Sequence, residues 1–299
     1  MPVHNSYMIY IACFSLRMYH KYIMIIQKRK DLQKLSTFGL KAHADYMIEF
    51  DTDRDLFDIS EFIEDLKLPS ITLGGGSNLI FCANYPGVII KNIIHSVDKL
   101  SRQRVTVSAG YDWDEFVQWT IGNGMHGLET MSGIPGTVGG AVALNAGAYG
   151  TCIKDNLESI RVYDAYERRL HSLTTSELRY AHRTSLLRQK RGNDWIILDA
   201  TFMLHTALPS PHHPKIMALS ETERSTPEAL RASIFKLRSH MPNPYIQKNS
   251  GSFFLNPTIP NSLASELRAN FPEIMMRPFD GKHEQIAAGW LLDQVGYKG

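Results

Sequence analysis

The chain has 299 residues, of which 43% are hydrophobic and 21% are charged. This composition excludes an intrinsically disordered protein and provides enough apolar material for two or three packed domains. Lysine and arginine number 32 against 30 aspartates and glutamates, a net charge of +2, so the charge balance gives no support for a nucleic-acid-binding protein.

Residues 1–30 are predicted to form an extension outside the fold. The longest uncharged run in this part, Tyr7 to Leu16, has ten residues, whereas a membrane-spanning helix needs about 20. Basic residues follow this run in place of a small-residue cleavage site, so the pattern does not indicate a signal peptide. The extension therefore predicts neither a membrane anchor nor secretion.

The three cysteines, at positions 13, 82 and 152, are odd in number and far apart in the sequence. Such a distribution fits neither a disulfide framework nor a zinc cluster. We therefore expect a cytoplasmic protein without a metal site.

Residues 31–95 are predicted to form a first α+β subdomain. Apolar residues recur with helical spacing from Leu56 to Leu66, and Pro69 ends that helix. A short strand, Ser70 to Leu73, then leads into three consecutive glycines, and Val88 to Ile90 resumes a strand. The predicted order is helix, strand, glycine loop and strand.

Residues 96–207 are predicted to form a second α+β subdomain. Val105 to Val107 has the composition of a strand, and Asp112 with Glu115 has the spacing of a capping box for the helix that follows. After a glycine-rich stretch that ends at Gly150, two further strands are predicted, at Ile160–Tyr163 and Trp195–Leu198.

A domain boundary is predicted at residue 207, because the polar, proline-bearing stretch from Leu208 to Pro214 has the composition of a linker. Residues 208–299 would then form a separate α+β domain. Thr226 and Pro227 are typical of a helix start, and that helix is expected to run to about Arg238. A further helix is predicted from Ser262 to Ala269.

The first glycine loop, Gly74 to Asn78, follows a predicted strand. Consecutive glycines let backbone N–H groups converge on an anion, and the two polar side chains add donors, so a phosphate or pyrophosphate would fit. Leu79 replaces the third glycine of the dinucleotide fingerprint, and the chain has no phosphate-loop motif, so both of those classes are excluded. Alone, a triple glycine is equally well explained as a tight turn.

The second glycine-rich stretch runs from Gly122 to Gly150. Ordering so many glycines is costly in backbone entropy, so a ligand is expected to lie against this part of the main chain. A flat ring system with a pyrophosphate tail, held by both loops, accounts for the two stretches together. The alternative is an irregular turn region without a ligand.

Six sequence blocks, in the same order along residues 32–299, resemble the UDP-N-acetylenolpyruvoylglucosamine reductase (MurB) family of flavoproteins. The blocks are Ser36-Thr37-Phe38-Gly39, Leu73 to Leu79, Gly133 to Gly150, Arg183-Thr184-Ser185, Asn249 to Phe254 with Asn256-Pro257, and Ala288 to Leu291 with Asp293-Gln294.

This resemblance implies an α+β fold: a two-subdomain FAD-binding fold of the vanillyl-alcohol-oxidase (PCMH) type, followed by a separate substrate domain. It implies that noncovalently bound FAD is reduced by NADPH as co-substrate. The hydride then passes to the enolpyruvyl double bond of a UDP-sugar, which gives UDP-N-acetylmuramate for peptidoglycan synthesis. We expect a monomer whose partners are these small molecules, without nucleic acid or membrane.

The resemblance also implies the roles of individual residues. Arg183 matches the catalytic arginine, Ser252 matches the serine that donates a proton, and Asn256 and Gln294 match substrate-binding positions. This chemistry suits the residue types, because a guanidinium stabilises a developing enolate and a hydroxyl can protonate it. The expected cofactor-binding residues are Gly74, Gly75, Gly76, Ser77, Asn78, Gly127, Ile134, Pro135, Gly136, Gly139, Gly140 and Gly147.

Three departures from the family pattern bear on activity. His182 stands where the family commonly has a tyrosine, and Leu255 stands where a lysine usually follows the Ser-Phe-Phe motif. Family members also continue for some tens of residues past the Trp290-Leu291 block, with a catalytic glutamate in that tail, so we expect the substrate domain ending at Gly299 to be incomplete and turnover to be impaired.

Two other functions remain open from the sequence. One is a flavin oxidase of the same fold that acts on another alcohol or sugar, although the Asn249 to Asn256 block argues against it. The other is a flavin-binding protein without catalysis. Substrate-dependent oxidation of NADPH would distinguish the reductase from the oxidase.

Overall fold

The computed structural model describes residues 25–181, 184–189, 195–210, 212–252 and 254–297. They form two compact units, one that extends to Ser250 and one that starts at Gly251. Both units combine helices with strands, which confirms the expected α+β class.

The first sheet of the larger unit has four strands in the order β1-β2-β4-β3. Strands β1 and β2 are antiparallel, whereas β4 runs parallel to both β2 and β3. Leu56 and Ile59 of helix α1 pack against Ile48 and Ile90 of the sheet, because the apolar side chains of this helix lie on one face. The elements are β1 (Ile25–Asp31), β2 (His43–Phe50), α1 (Asp55–Leu66), β3 (Ser70–Thr72) and β4 (Tyr85–Asn92).

The structure corrects the predicted extent of the N-terminal extension. Residues 25–30 are part of the predicted extension, yet they form most of β1. Strand β1 pairs with β2 from Ile25↔Glu49 to Asp31↔His43. The pairing skips Arg29, which has a positive φ of 47°. A strand rich in lysine and arginine at a sheet edge lacks the alternation of apolar and polar residues by which strands are recognised.

The second sheet has five antiparallel strands in the order β10-β9-β11-β6-β5. Helices α2 and α3 cover one face, where Trp113, Phe116 and Phe202 form the centre of the core. On the other face, Tyr163 and Ile196 join the apolar cluster of the first sheet. The elements are β5 (Val97–Lys99), β6 (Arg104–Ser108), α2 (Trp113–Gly122), α3 (Val138–Ala143), β7 (Gly147–Ala148), β8 (Thr151–Cys152), β9 (Leu157–Asp164), β10 (Arg169–Thr174) and β11 (Trp195–Met203).

The start of α2 follows the sequence prediction in part. The Asp112 carboxylate accepts hydrogen bonds from the backbone N–H groups of Asp114 (2.8 Å) and Glu115 (3.1 Å) and so caps the helix. The Glu115 carboxylate, however, lies 3.3 Å from His95 Nε2, and the reciprocal half of the capping box is replaced by this contact.

Residues 208–250 belong to the larger unit, so the division of the chain differs from the predicted boundary at 207. Leu230 and Ile234 pack with Tyr149. Arg231 forms a bidentate ion pair with Asp114, in which both N–O distances are 2.7 Å. These contacts join the segment to the second subdomain. Its helices are α4 (Pro214–Met217), α5 (Glu221–Arg224) and α6 (Pro227–Arg238).

The smaller unit contains a three-stranded antiparallel sheet in the order β12-β14-β13, with two helices. Among the described residues the longest helices, α1 and α6, have 12 residues each, fewer than a bilayer span requires. The elements are β12 (Thr258–Pro260), α7 (Asn261–Asn270), β13 (Met276–Pro278), β14 (His283–Ile286) and α8 (Ala288–Gln294).

Candidate functional site

The loop from Gly74 to Asn78 follows β3 and presents a run of unused hydrogen-bond donors. Leu73 N–H still bonds to the carbonyl of Ile90 at 2.8 Å, but none of the next five backbone N–H groups donates to an acceptor within the described part of the chain. Unpaired N–H groups are costly unless water or a ligand accepts from them. Consecutive free amides are the arrangement that binds phosphate groups.

Glycine is required in this loop because the main chain of other segments lies against it. A Cβ on Gly75 would lie 2.6 Å from Gly136 Cα, and a Cβ on Gly76, which has φ +64°, would lie 1.8 Å from the carbonyl oxygen of Leu35. The Ser77 hydroxyl donates to the carbonyl of Pro135 at 2.9 Å. The structure therefore brings the two predicted glycine loops into direct contact.

A cavity of about 300 Å³ opens where the two loops meet, and we call it the glycine-loop cavity. This volume lies at the lower end of the range for small-molecule sites. Its walls are Gly75, Lys91, Asn92, Ile93, His95, Gly110, Asp112, Gly136, Thr137 and Tyr245.

The polar residues of this cavity that were not predicted from the sequence include Lys91, His95, Asp112 and Tyr245. Burial raises the pKa of the Asp112 carboxyl, despite the two amides that it caps. Burial also raises the pKa of the Tyr245 hydroxyl. Asp112 was predicted only as a helix cap, and the other three residues belong to no motif, because only the folded chain brings them together.

Several predicted cofactor residues have other roles in the structure. Gly139 donates its N–H to the carbonyl of Ala109 at 2.9 Å, and a Cβ there would lie 2.9 Å from the Ala109 Cβ, so this glycine allows α3 to approach the sheet. Gly140 N–H bonds to the Thr137 hydroxyl within the first turn of α3. Gly147 pairs with Cys152 in the β7–β8 hairpin, and the Ile134 side chain packs against the core.

Gly127 lines a different cavity, of about 430 Å³, together with Thr130, Tyr149 and Arg224 among others. Its N–H donates to the Glu129 carboxylate at 2.8 Å, and its φ of 121° suits only glycine. The Thr130 hydroxyl and Arg224 Nε are buried without a hydrogen-bond partner in the described part of the chain.

The predicted catalytic and substrate-binding residues fall into three groups. Arg183, with His182 before it, lies outside the described residues. Ser252 is exposed directly after Gly251, which has φ +69°. Asn256 and Gln294 lie at opposite ends of helix α8. Asn256 Oδ1 accepts the N–H of Ala288, the first residue of α8, at 3.0 Å, and Gln294 is the last residue of the helix.

One further cluster has ligand types that suit a metal ion. Potential ligand atoms of Asp164, Glu167 and His171 lie within 4.8 Å of one another at the β9–β10 turn. Arg169 Nε, however, donates to Glu167 (2.7 Å) and to His171 Nε2 (3.2 Å), and the Asp164 carboxylate already accepts from Trp195 Nε1 (2.7 Å). Hydrogen bonds within the protein therefore occupy these groups.

Comparison with known proteins connects the glycine-loop cavity to a cofactor. Residues 44–171 match the family described as FAD binding domain, and this range includes both the Gly74–Asn78 loop and Gly136. The crystal structure of MurB from Thermus caldophilus covers 91% of this chain and 80% of its own, with a TM-score of 0.64 and 24% sequence identity, and so has the same fold.

Two bacterial proteins named UDP-N-acetylenolpyruvoylglucosamine reductase are closer in sequence. The protein from Pseudomonas fluorescens is 34% identical over 283 residues, 92% of this chain and 83% of its own length. The protein from Porphyromonas gingivalis is 32% identical over 288 residues, 92% and 84% of the two chains. Identity at this level over nearly the whole length confirms the resemblance seen in the six motifs. The chain belongs to the UDP-N-acetylenolpyruvoylglucosamine reductase family.

Proposed function

We propose that this protein uses NADPH, through FAD, to reduce UDP-N-acetylglucosamine enolpyruvate to UDP-N-acetylmuramate in peptidoglycan precursor synthesis. The observation that carries the proposal is the run of five unpaired amides at Gly74–Asn78, at a cavity whose opposite wall is the second glycine loop. The names of the relatives indicate which substrate to propose, and the match to the FAD binding domain family indicates the cofactor.

The residues of the cavity fit FAD. The amides from Gly74 to Asn78 would hold the pyrophosphate, as converging backbone donors do in other phosphate sites. Gly75 and Gly136 let the two loops meet, because a Cβ on Gly75 would lie 2.6 Å from Gly136 Cα and a Cβ on Gly136 would lie 2.9 Å from Ser77 Oγ. No His or Cys lies within the Gly74–Asn78 loop, so a noncovalent complex is expected. When bound, FAD supplies the hydride for the enolpyruvyl double bond.

Addition of hydride to that double bond places negative charge on the carbon next to a carboxylate. Arg183 is the proposed group that stabilises this charge, because a planar guanidinium binds both oxygens of a carboxylate and keeps its charge at every physiological pH. A fixed cation of this kind lowers the barrier because it favours the transition state more than the substrate.

The carbon next to the carboxylate must then take up a proton. Ser252 is the proposed donor, since it follows Gly251 on an exposed turn and carries a small hydroxyl. Serine is a weak acid, but an enolate is a strong base, so the transfer is favourable.

Leu255 bears on the substrate phosphates. Its side chain is 69% exposed and cannot donate a hydrogen bond, whereas the lysine expected at this position would attract the diphosphate. We therefore expect weaker binding of the UDP-sugar than in relatives that keep the lysine, and Leu255→Lys should lower KM without a change in flavin binding.

The test is a steady-state assay of NADPH oxidation by the FAD-loaded protein, with and without the enolpyruvyl UDP-sugar. Oxidation that depends on this sugar, with UDP-N-acetylmuramate as product, supports the proposal. Reduction of flavin by NADPH without reoxidation by the sugar points instead to an oxidase or to a flavin-binding protein without catalysis. A protein that takes up no FAD on reconstitution excludes all three.

A further inference from the structure

We infer that Thr37 and Asn78 are positioning residues that hold the main chain in front of Ser252, and so tie the FAD-binding loop to the segment that carries the proton donor. The Thr37 hydroxyl donates to the carbonyl of Asn249 at 2.6 Å. Asn78 Nδ2 donates to the carbonyl of Ser250 at 2.9 Å. We call these two hydrogen bonds the 249–250 anchor.

The anchor joins segments that are far apart in the sequence. Residue pairs 37/249 and 78/250 are 212 and 172 positions apart, so neither bond is a local turn. Both acceptors are backbone carbonyls, and the bonds therefore fix the path of the main chain. A carbonyl left without its donor in a partly buried place loses a hydrogen bond that water does not fully replace.

Other contacts keep the anchor in place. Thr37 N–H donates to the carbonyl of Gly76 at 3.1 Å, so Thr37 itself is held by the glycine loop. The Ser36 hydroxyl donates to the carbonyl of Leu79 at 2.7 Å, at the other end of the same loop. The Lys248 side chain lies directly over Gly39, where a Cβ would come within 2.9 Å of its Cδ and Nζ atoms.

This arrangement assigns Asn78 a role beyond cofactor binding. Its side-chain N–H is committed to Ser250, while the backbone N–H groups of the same loop have no acceptor in the described residues. FAD that occupies those amides would order the loop, and through Asn78 and Thr37 it would order residues 249 and 250. Ser252 follows two positions later, after Gly251, so cofactor binding and placement of the proton donor become coupled.

The inference rests on the proposed role of Ser252, and the test is chosen so that the two can fail separately. Thr37→Val removes the hydroxyl with little change of side-chain shape, and Thr37→Ser restores it. Thr174→Val is the matched control, because the Thr174 hydroxyl, at the exposed end of β10, bonds only to the nearby residues Ser176 and Glu177. All variants are full-length and FAD-loaded. If Thr37→Val does not fold, Thr37→Ala replaces it.

We expect Thr37→Val to bind FAD more weakly, because a hydrogen bond that FAD binding orders also contributes to FAD affinity. At saturating FAD, bleaching of the bound flavin by NADPH should be unchanged. Reoxidation by the enolpyruvyl UDP-sugar should be slower by about tenfold, because the lost hydrogen bond positions the segment that carries Ser252. Thr37→Ser should recover most of that rate, and Thr174→Val should match the unaltered protein. Equal slowing of both half-reactions, or no slowing of reoxidation, would overturn the inference.

Hydrogen–deuterium exchange tests the anchor itself, independently of catalysis. In the unaltered protein the amides of residues 249–252 should exchange more slowly with FAD than without it, and Thr37→Val should remove this difference. If FAD does not change their exchange, or if Thr37→Val leaves it unchanged, the inference is wrong even when the protein is an active reductase. If the sugar fails to reoxidise the unaltered protein but the exchange result holds, the proposed reaction is wrong and the anchor stands.

Discussion

Gly75 lies where the two glycine loops contact each other. A Cβ there would lie 2.6 Å from Gly136 Cα, so Gly75→Ala must push the loops apart and misplace the free amides. Overpacking of this kind costs about 1–3 kcal/mol, equivalent to FAD binding weaker by about 5- to 150-fold. Titration of FAD fluorescence measures the change. Gly122→Ala is the control, because a Cβ at Gly122 meets nothing within 4 Å; equal losses in both variants would contradict the loop contact.

Ser252 is assigned to the second half-reaction alone. We expect Ser252→Ala to leave the bleaching of flavin by NADPH unchanged and to abolish productive reoxidation by the enolpyruvyl UDP-sugar, because the proton donor acts only after the hydride has moved. Anaerobic stopped-flow absorbance at the flavin band separates the two steps. If both steps slow equally, Ser252 has a role in folding or in flavin binding instead.

Cys152 and Cys82 should differ sharply in reactivity. Burial, with a hydrogen bond from the thiol to the Asp155 carboxylate at 3.1 Å, raises the pKa of Cys152 to about 11, whereas Cys82 is exposed. The thiolate is the reactive form, so at pH 8 iodoacetamide should modify Cys82 and leave Cys152 intact, and the rate at Cys152 should rise as the pH approaches 11. Peptide mass spectrometry measures both, and Asp155→Asn should accelerate labelling of Cys152. Equal rates at pH 8 would contradict this assignment.

Sequence motifs identify residues at which only glycine fits the backbone. They do not identify residues that are distant in the sequence and that the tertiary fold brings to the site. Gly75, Gly76 and Gly136 were recognisable because only glycine permits their close approach. Lys91 and Tyr245 belong to segments with no signature, and only the tertiary fold brings them to one cavity. Asn78 was recognised as a donor, but its acceptor, 172 residues later, was not predictable.

Among the helices and strands, those with a strong apolar periodicity were predicted well. Helices α1 and α6 fall within one or two residues of the expected ranges, because each buries one face. Helix α7 also falls within one residue of its expected range, although Ala264 is its one buried residue. Strands β1 and β10 were missed, because both lie at sheet edges and are largely polar. Helix α3 was missed because Gly139 and Gly140 in its first turn have low helix propensity and give the segment the composition of a loop.

The ion pair between Asp114 and Arg231 joins α2 to α6, two helices on opposite sides of the domain boundary predicted at residue 207. Arg231 and Asp114 are 15% and 29% exposed, and Asp114 Oδ1 also accepts the N–H of Gly133 at 2.6 Å. Loss of the guanidinium leaves the carboxylate poorly paired, so we expect Arg231→Met to lower the free energy of unfolding by about 2 kcal/mol. Urea denaturation followed by circular dichroism gives the value.

The control for this prediction is another bidentate ion pair, whose two side chains are more exposed to solvent. Arg104 bonds to both carboxylate oxygens of Glu158 at 2.9 and 2.7 Å, but the two side chains are 44% and 35% exposed. Solvent screens such a pair, and Arg104→Met should cost less than about 1 kcal/mol. A cost for Arg231→Met no larger than that of Arg104→Met would show that α6 is held by its apolar face alone.

At the scale of the whole molecule, the predicted linker at residues 208–214 is followed by helices that return to the second subdomain. A polar stretch with prolines resembles a domain linker in composition, but composition does not reveal where the next apolar face packs. Ile216, Leu230 and Ile234 are buried together with Tyr149, and the compact unit continues to Ser250. The last two residues of this unit are the acceptors of the 249–250 anchor.

The extent of this unit can be tested with two fragments, residues 25–250 and residues 25–207. The shorter fragment loses Ile216, Leu230 and Ile234, which pack with Tyr149, and it also loses the Arg231–Asp114 pair. Apolar surface of the second subdomain that is covered in the longer fragment is then exposed to water. We therefore expect residues 25–250 to unfold in one cooperative transition and to bind FAD, and residues 25–207 to aggregate or to unfold without cooperativity. Thermal denaturation of both fragments, with and without FAD, measures this difference. If the shorter fragment binds FAD and unfolds as cooperatively as the longer one, residues 208–250 are an accessory to the flavin-binding fold and the boundary at 207 is the correct one.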